Sequence, residues 1–407
     1  MAVLKPIDDK QACEMIAWAA AENQSLEIVG AGSKRALGRP LQTNHVLDAS
    51  LLTGIVDYEP GELILTARAA TPMAEVAAAL ASANQMLSFE PPDWGTLLAS
   101  VAKPTLGGVV ACNLSGPRRV RAGSARDYFL GFAAVNGWGE AWKAGAKVVK
   151  NVTGYDMCKL QAGAYGTLSL LTEITLKVMP CPETSVTLLI GGLADAKAIA
   201  LASTALNSPY EVSAVAHLPA PVAGRSAIGA IAARSGAVTA VRLEGPAPSV
   251  AYRADAVEAL IGRGERLEAE DTAAFWAEIG SVHPLLGRGD RVLWRVCPTP
   301  SAAPKMADAV RAALRSAELY YDWGGGLVWI DLDPEEAGSD GAAAKLRAAV
   351  AASGGGHATL IKASESVRTS APVFDPMKGG LAALTDRVKT GFDPKRIFNP
   401  GRMQEGQ

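Results

Sequence analysis

The sequence predicts an α+β protein built in parts, and three observations predict it. Glycine-rich loops sit between short elements at 29–40, 104–127 and 150–167. Past Pro180–Pro182 the pattern changes to strand-like runs alternating with alanine-rich helices, as in a helix-backed antiparallel sheet. The chain then closes on FDPKRIFNPGRM, which follows neither pattern. The expected segments are 1–180, 181–385 and 386–407.

In the first part, Asp8 or Asp9 caps an amphipathic helix running to about Asn23, and Leu26–Val29 is a short strand. The loop VGAGSKRALGRP follows, with Gly30, Gly32 and Gly38. It matches neither G-x-G-x-x-G nor the phosphate loop ending in Gly-Lys-Ser/Thr. It can still present backbone N–H donors to a pyrophosphate, with Ser33 as an added donor; Lys34 and Arg35 could assist, but read rather as an exposed basic pair. Thr71–Pro72 opens a helix to about Ala83. Thr105 is an N-cap for a short helix through Gly107, Gly108 and Cys112. Gly116 and Gly123 punctuate the next loop, where Arg118, Arg119, Arg121 and Arg126 stand with only Asp127 beside them. Such a rim suits phosphate or a carboxylate, because the arginine fork matches both. Phe129–Val135, Asn136–Gly137 and a second β-like stretch read as a hairpin. In KNVTGYDMCKLQAGAYGT, Gly154 makes a turn, Asp156 caps Met157–Gln161, and Gly163 closes that helix. A second turn, Gly166–Thr167, leads into the strand LSLLTEITLKVMP. Closely spaced glycines bring backbone N–H groups within reach of a ligand.

In the second part, strands are expected at Val186–Ile190, Val212–Ala216, Val238–Leu243, Val292–Val296, Leu327–Ile330 and Ala358–Ile361. Helices are expected near 194–205, 250–262, 303–316 and 341–352. The helix pairs suggest two similar halves without a clear sequence repeat. Glu335–Ala344 reads as a flexible linker. Trp94 is the aromatic favoured for contact with a ligand, and Trp323 reads as packed in the second domain's core.

Composition excludes several classes. The net charge of −2 gives no reason to expect nucleic acid. The N-terminal stretch lacks the apolar run of a secretory signal, and no window approaches 18 uninterrupted apolar residues. Five scattered cysteines fit a reducing cytosol, and without C-x-x-C spacing they do not form the usual run for an iron–sulfur cluster. The four histidines, His45, His217, His283 and His357, are far apart in sequence, so no metal site is expected. His283 and His357 read as structural.

Together the three glycine segments, in their order, resemble the vanillyl-alcohol oxidase/p-cresol methylhydroxylase class of flavoproteins. PPDWGTLLASVAKPTLGGVVACNLSGPRRVRAGSARDYFLGFAAVNGWGE, KNVTGYDMCKL and the closing D-P-x-x-x-x-N-P-G are similar to the smaller FAD-binding-domain subunits of bacterial glycolate oxidase, or glycolate dehydrogenase. The resemblance implies a two-lobed FAD-binding domain (1–180, with 386–407 returning to it) and an antiparallel-sheet α+β cap domain. It implies dissociable, non-covalent FAD, because the first loop has no histidine. Gly30, Ala31, Gly32 and Ser33 would wrap the pyrophosphate. Thr105, Gly107, Gly108, Gly116, Arg126 and Asp127 would line the isoalloxazine and ribityl side, and Gly166, Thr167 and Ile174 the adenine and diphosphate side.

The implied partners are a larger FAD-binding glycolate oxidase subunit and an iron–sulfur subunit, in a cytoplasmic complex that can associate with the membrane through those partners. The implied substrate is a small 2-hydroxy acid, glycolate, oxidised to glyoxylate. Arg118 or Arg119 would hold its carboxylate. Related lactate dehydrogenases carry paired cap histidines that bind a metal, and this chain has no such pair. The alternative is therefore an FAD-holding electron relay or scaffold without turnover of its own.

Overall fold

The computed structural model describes residues 2–147 and 154–406, so Lys150–Thr153 of the third glycine segment lie outside the described residues. The chain divides into two compact units. The first comprises 1–114, 123–181 and 376–407; the second comprises 115–122 and 182–375. The segment 115–122, expected with the first domain, therefore belongs to the second unit, and the closing segment begins ten residues earlier than expected.

The first unit has two lobes. One is a parallel sheet of β1 (Ala2–Leu4), β2 (Leu26–Val29) and β3 (His45–Asp48), in the order β1-β3-β2. The helix Asp9–Ala21 covers it and is capped by Asp8, whose side chain accepts from Gln11 N–H. Its Ala12, Ile16 and Ala19 follow helical spacing and pack with Leu26, Leu47, Val135 and Phe398. The other lobe contains β4 (Ile55–Glu59), β5 (Ile64–Arg68), the short β6 (Gln85–Met86), β7 (Phe129–Asn136), β8 (Ala141–Gly145), β9 (Ser169–Lys177) and β10 (Met179–Pro180). Five of these form an antiparallel sheet, β4-β5-β9-β7-β8, while β10 pairs with β6. The β7–β8 connection is longer than a two-residue turn. Asn136 Oδ1 accepts from both Trp138 and Glu140 N–H, which closes a four-residue loop.

The second unit is one eight-stranded antiparallel sheet. Its strands are β11 (Thr184–Gly191), β12 (Ala214–Leu218), β13 (Val238–Gly245), β14 (Glu265–Leu267), β15 (Val292–Pro298), β16 (Glu318–Asp322), β17 (Leu327–Leu332) and β18 (Gly356–Lys362), in the order β14-β11-β13-β12-β16-β17-β15-β18. The two halves expected from the helix pairs are each a βαββαβ unit. In the first, the helices Asp195–Leu206 and Ala247–Ile261 are the crossovers; in the second, Ala303–Ala313 and Ala343–Ala352.

The halves join where His217 of β12 pairs with Tyr321 of β16. Asp195 clasps this seam, accepting from His217 Nε2 at 3.2 Å, Tyr321 OH at 2.6 Å and Arg311 at 2.8 Å. β12 begins two residues later than expected, which keeps its face, since side chains alternate with period two. Several elements of this unit are absent from the sequence reading, among them β14, β16, hidden next to a glycine run, and the helix Ala269–Gly280. Glu335–Ala344 is not a linker. Its Pro334–Ala337 turn of helix is capped by Asp333, and Glu336 accepts from the Arg315 and Ser316 amides. No helix among the described residues is long and apolar enough to cross a membrane.

Candidate functional site

The site grows out of the end of β2. The parallel strand delivers the chain at Val29, and the loop after it turns at Gly32, whose φ of +85° L side chains rarely adopt. The backbone N–H groups of 31–34 meet no acceptor among the described residues. Thr105 caps the helix Leu106–Ala111 beside them, accepting from Gly108 N–H. A Cβ on Gly30 would stand 2.9 Å from Thr105 Oγ1, and one on Gly107 would stand 2.8 Å from the Ala69 carbonyl, so close approach explains both glycines.

The loop is held from the far end of the sequence. Arg402 donates to the Arg35 and Leu37 carbonyls and meets Glu27, which also pairs with Arg35. Asn399 ties strand to turn. Its Oδ1 accepts from Ile28 N–H at 2.9 Å, and its Nδ2 donates to the Tyr165 carbonyl at 2.8 Å and to Gly166. Lys389 donates to Asp393 and to the Thr167 and Phe398 carbonyls, and Asp393 accepts from the Ile397 and Phe398 amides. The D-P-x-x-x-x-N-P-G pattern is thus a clamp that brings the first glycine loop and the Gly166 turn together.

Between them lies a cavity that opens to solvent, with about 890 Å³ of empty space when the open part is counted. Gly30, Ala31, Gly32, Ser33, Thr105, Gly107, Gly108 and Gly166 line it. Five other expected contacts lie elsewhere. Gly116 belongs to the second unit, where its carbonyl accepts from Trp323 Nε1. Arg126 spans Asn113 and the Lys159 carbonyl, and Asp127 closes a capping box with Ser124. Thr167 bonds back to the Ala164 carbonyl, and Ile174 is packed inside β9. Trp94 is buried away from the cavity lining.

Lys34, Gln161, Tyr165 and Arg402, which the sequence reading did not assign to the site, also line the cavity. Lys34 is not the exposed basic side chain expected. Burial pushes its ammonium below the ordinary lysine value, against the opposing pull of Cys112 and Asp93. Gln161 is 3% exposed; its Oε1 accepts from Ser169 Oγ, while its Nε2 is buried with no partner. A buried orphan donor asks for an external acceptor. The Cys112 thiol is pushed up to about 11 by burial, which disfavours its thiolate. Among the described residues no group of histidine, cysteine and acidic side chains could hold a metal ion.

These features fit FAD. Four open amides and a lysine suit a diphosphate. The orphaned Gln161 amide suits a polar group of the cofactor.

The adjacent arginines 118 and 119 have different fates. Arg118 is buried against Glu244 in a short ion pair, while Arg119 is exposed, its guanidinium carbon 4.4 Å from the centre of the Trp323 ring.

The glycolate oxidase subunit GlcE of Escherichia coli K12 is 35% identical over 402 residues, covering 98% of this chain and 99% of that protein. The chain belongs to the GlcE family of glycolate oxidase subunits. A family model described as "FAD binding domain" matches residues 1–145, and the chain binds FAD. The glycolate oxidase subunit GlcD of Bacillus subtilis is 40% identical over 101 residues, 25% of this chain and 21% of that one. A solved structure of alkyldihydroxyacetonephosphate synthase superposes with a TM-score of 0.70 at 14% identity, over 98% of this chain and 76% of that one. The fold is accordingly that of the vanillyl-alcohol oxidase/p-cresol methylhydroxylase class, an FAD-binding domain with an antiparallel α+β domain.

Proposed function

We propose that the chain is the FAD-binding GlcE-type subunit of a multi-subunit glycolate oxidase, in which glycolate is oxidised to glyoxylate. The observation that carries this is the full-length likeness to GlcE together with a cavity whose open amides, Lys34 and Gln161 match FAD. FAD, when bound, accepts the two electrons that leave the hydroxy acid. The residues of the chain hold and orient. The amides of 31–34 and Lys34 hold the diphosphate. On this reading attachment is non-covalent, which is supported by a cavity lining without histidine and by a burial-raised thiol at Cys112. Arg119, rather than Arg118, holds the substrate carboxylate.

A second reading, an electron relay or scaffold serving a GlcD-type subunit, draws on the histidines. Both ring nitrogens of His217 are engaged, by Thr239 and Asp195, so it is not poised as a base, and His45 Nδ1 accepts from the Ala2 amide. The partners on either reading are the larger FAD-binding subunit and an iron–sulfur subunit that passes electrons on.

The test is the visible spectrum of the purified chain before and after anaerobic glycolate. A flavin band that bleaches supports turnover in this subunit. A band that bleaches only after the partner subunits are added supports the relay. A colourless chain that takes up no added FAD overturns both. A tagged pull-down from the native host recovers the larger flavoprotein and an iron–sulfur protein, and recovery of neither counts against the complex.

A further inference from the structure

The sheet of the second unit has two unlike faces. Residues at alternate positions, such as Val241, Leu243, Val296, Val328 and Ile330, join the helices in two apolar cores. The residues between them point the other way. That face carries Arg242 and Glu244 on β13, Asp331 on β17, Arg295 and Cys297 on β15, and His357 on β18. The segment 115–122 belongs to this face, because Arg118 pairs with Glu244 and the Gly116 carbonyl accepts from Trp323.

Most arginines here are matched. Arg118 and Arg242 share Glu244, and Arg288 and Arg291 share Asp331. Arg295 is different. Its guanidinium N–H groups have no acceptor among the described residues, and its cross-strand neighbours Trp329 and Thr359 carry no charge. It lies over an aromatic ring instead, with its guanidinium carbon 5.0 Å from the centre of the Trp323 ring. Arg119 approaches the same ring at 4.4 Å. Two arginines gathered on one indole, one of them half-buried without an acceptor, make a place where an anion gains charge-assisted bonds.

The neighbouring thiol reports the same field. Burial pushes Cys297 up, yet Arg295, the hydrogen bond from His357 and Arg119 outweigh burial and hold it below its ordinary value. The pairing of Cys297 with His357 across β15 and β18 places the imidazole at the edge of the cluster.

We propose that Arg295 and Arg119, gathered on Trp323, form a binding site for the carboxylate of a small 2-hydroxy acid on the second unit. The identity of the acid rests on the proposed function; the site itself does not. Planar forks suit a planar carboxylate. Trp323 is held by its bond to Gly116 and by Asp322, which accepts from its amide, so the platform is fixed before the ligand arrives.

The experiment is calorimetric titration of the full FAD-treated chain with oxalate, an inert small carboxylate, and with glycolate under anaerobic conditions. The proteins are the wild type, Arg295→Gln, Arg295→Lys and Arg119→Gln, with Arg266→Gln as a control on a separate ion pair. Arg295→Gln is expected to weaken oxalate binding at least tenfold. Arg295→Lys is expected to recover only part, because a point charge lacks the fork, and Arg266→Gln to bind as the wild type does. Arg119 is exposed, so Arg119→Gln tests the site even if the Arg295 variants fold poorly, and it is expected to weaken binding severalfold. Wild-type affinity in folded Arg295→Gln and Arg119→Gln overturns the site, as does a wild type that binds neither acid. Flavin absorbance is read separately on each protein. Its loss from the wild type counts against the flavoprotein reading whatever the titration shows, while intact flavin with unchanged oxalate binding overturns this site alone.

Discussion

Replacing Lys389 with Met removes the centre of the C-terminal clamp. The Lys389 side chain is 5% exposed and that of Asp393 is 0%. The three ammonium protons are all used, toward Asp393 Oδ2 at 2.6 Å, the Thr167 carbonyl at 2.6 Å and the Phe398 carbonyl at 3.1 Å. Methionine fills similar space but donates nothing. It leaves a buried carboxylate and two carbonyls without their cation, although the Ile397 and Phe398 amides still donate to Asp393. Breaking a buried pair from one side costs about 3–5 kcal/mol. For a domain of this size each kcal/mol moves the midpoint by roughly 2–4 °C, so the expected fall is about 6–20 °C. The assay is thermal unfolding by tryptophan fluorescence at fixed excess FAD, because bound ligand itself shifts the midpoint. FAD affinity should weaken as well, since Thr167 adjoins the Gly166 turn that lines the cavity. A midpoint within about 2 °C of wild type, with unchanged FAD affinity, would refute the clamp.

Two further outcomes are expected. Gln161→Leu removes one buried donor facing the cofactor cavity and should weaken FAD binding by about 3- to 10-fold, the equivalent of one hydrogen bond; an unchanged dissociation constant by fluorescence titration would mean that the amide meets no cofactor atom. Burial raises the Asp195 carboxyl, but His217, Tyr321 and Arg311 outweigh it and hold the group below its ordinary 3.8. Its folded pKa being depressed, its stabilisation is fully present above the unfolded value and is lost as pH falls below about 4. Asp195→Asn should therefore be less stable at neutral pH and show a shallower loss of stability in acid, measured by urea unfolding between pH 3 and 7. Parallel wild-type and variant curves would exclude Asp195 from the acid limb.

Much of the local structure was legible because its causes lie within a few residues. A side chain reaching an amide three positions on explains the caps at Asp8, Thr105 and Asp156. Gly163, with φ +82°, follows the helix Met157–Gln161 where the chain must turn left-handed. The paired helices of the second domain suggest its two halves without any strand register. The miss at β16 has a local cause too. ELYYD is short and abuts a glycine run, and the same tyrosines and tryptophan fit a packed loop until β12 and β17 are there to pair with it.

The site was only half legible. The sequence by itself determined the FAD class and the glycines that approach a ligand, since a glycine requirement is a property of the backbone at that position. Only the tertiary structure decided which polar side chains face the cavity. Lys34 and Arg35 look alike in sequence and both line the cavity, yet the first is largely buried there while Glu27 pairs with the second. Arg118 and Arg119 are neighbours in one basic run, and Glu244 takes one of them. Arg402 reaches Leu37, Asn399 reaches Ile28, and Arg295 and Arg119 meet at Trp323, each across a separation that no local rule spans. Conformation is dictated by near neighbours. A charged side chain's role is dictated by the partner that folding brings to it, and that partner is chosen by the whole chain.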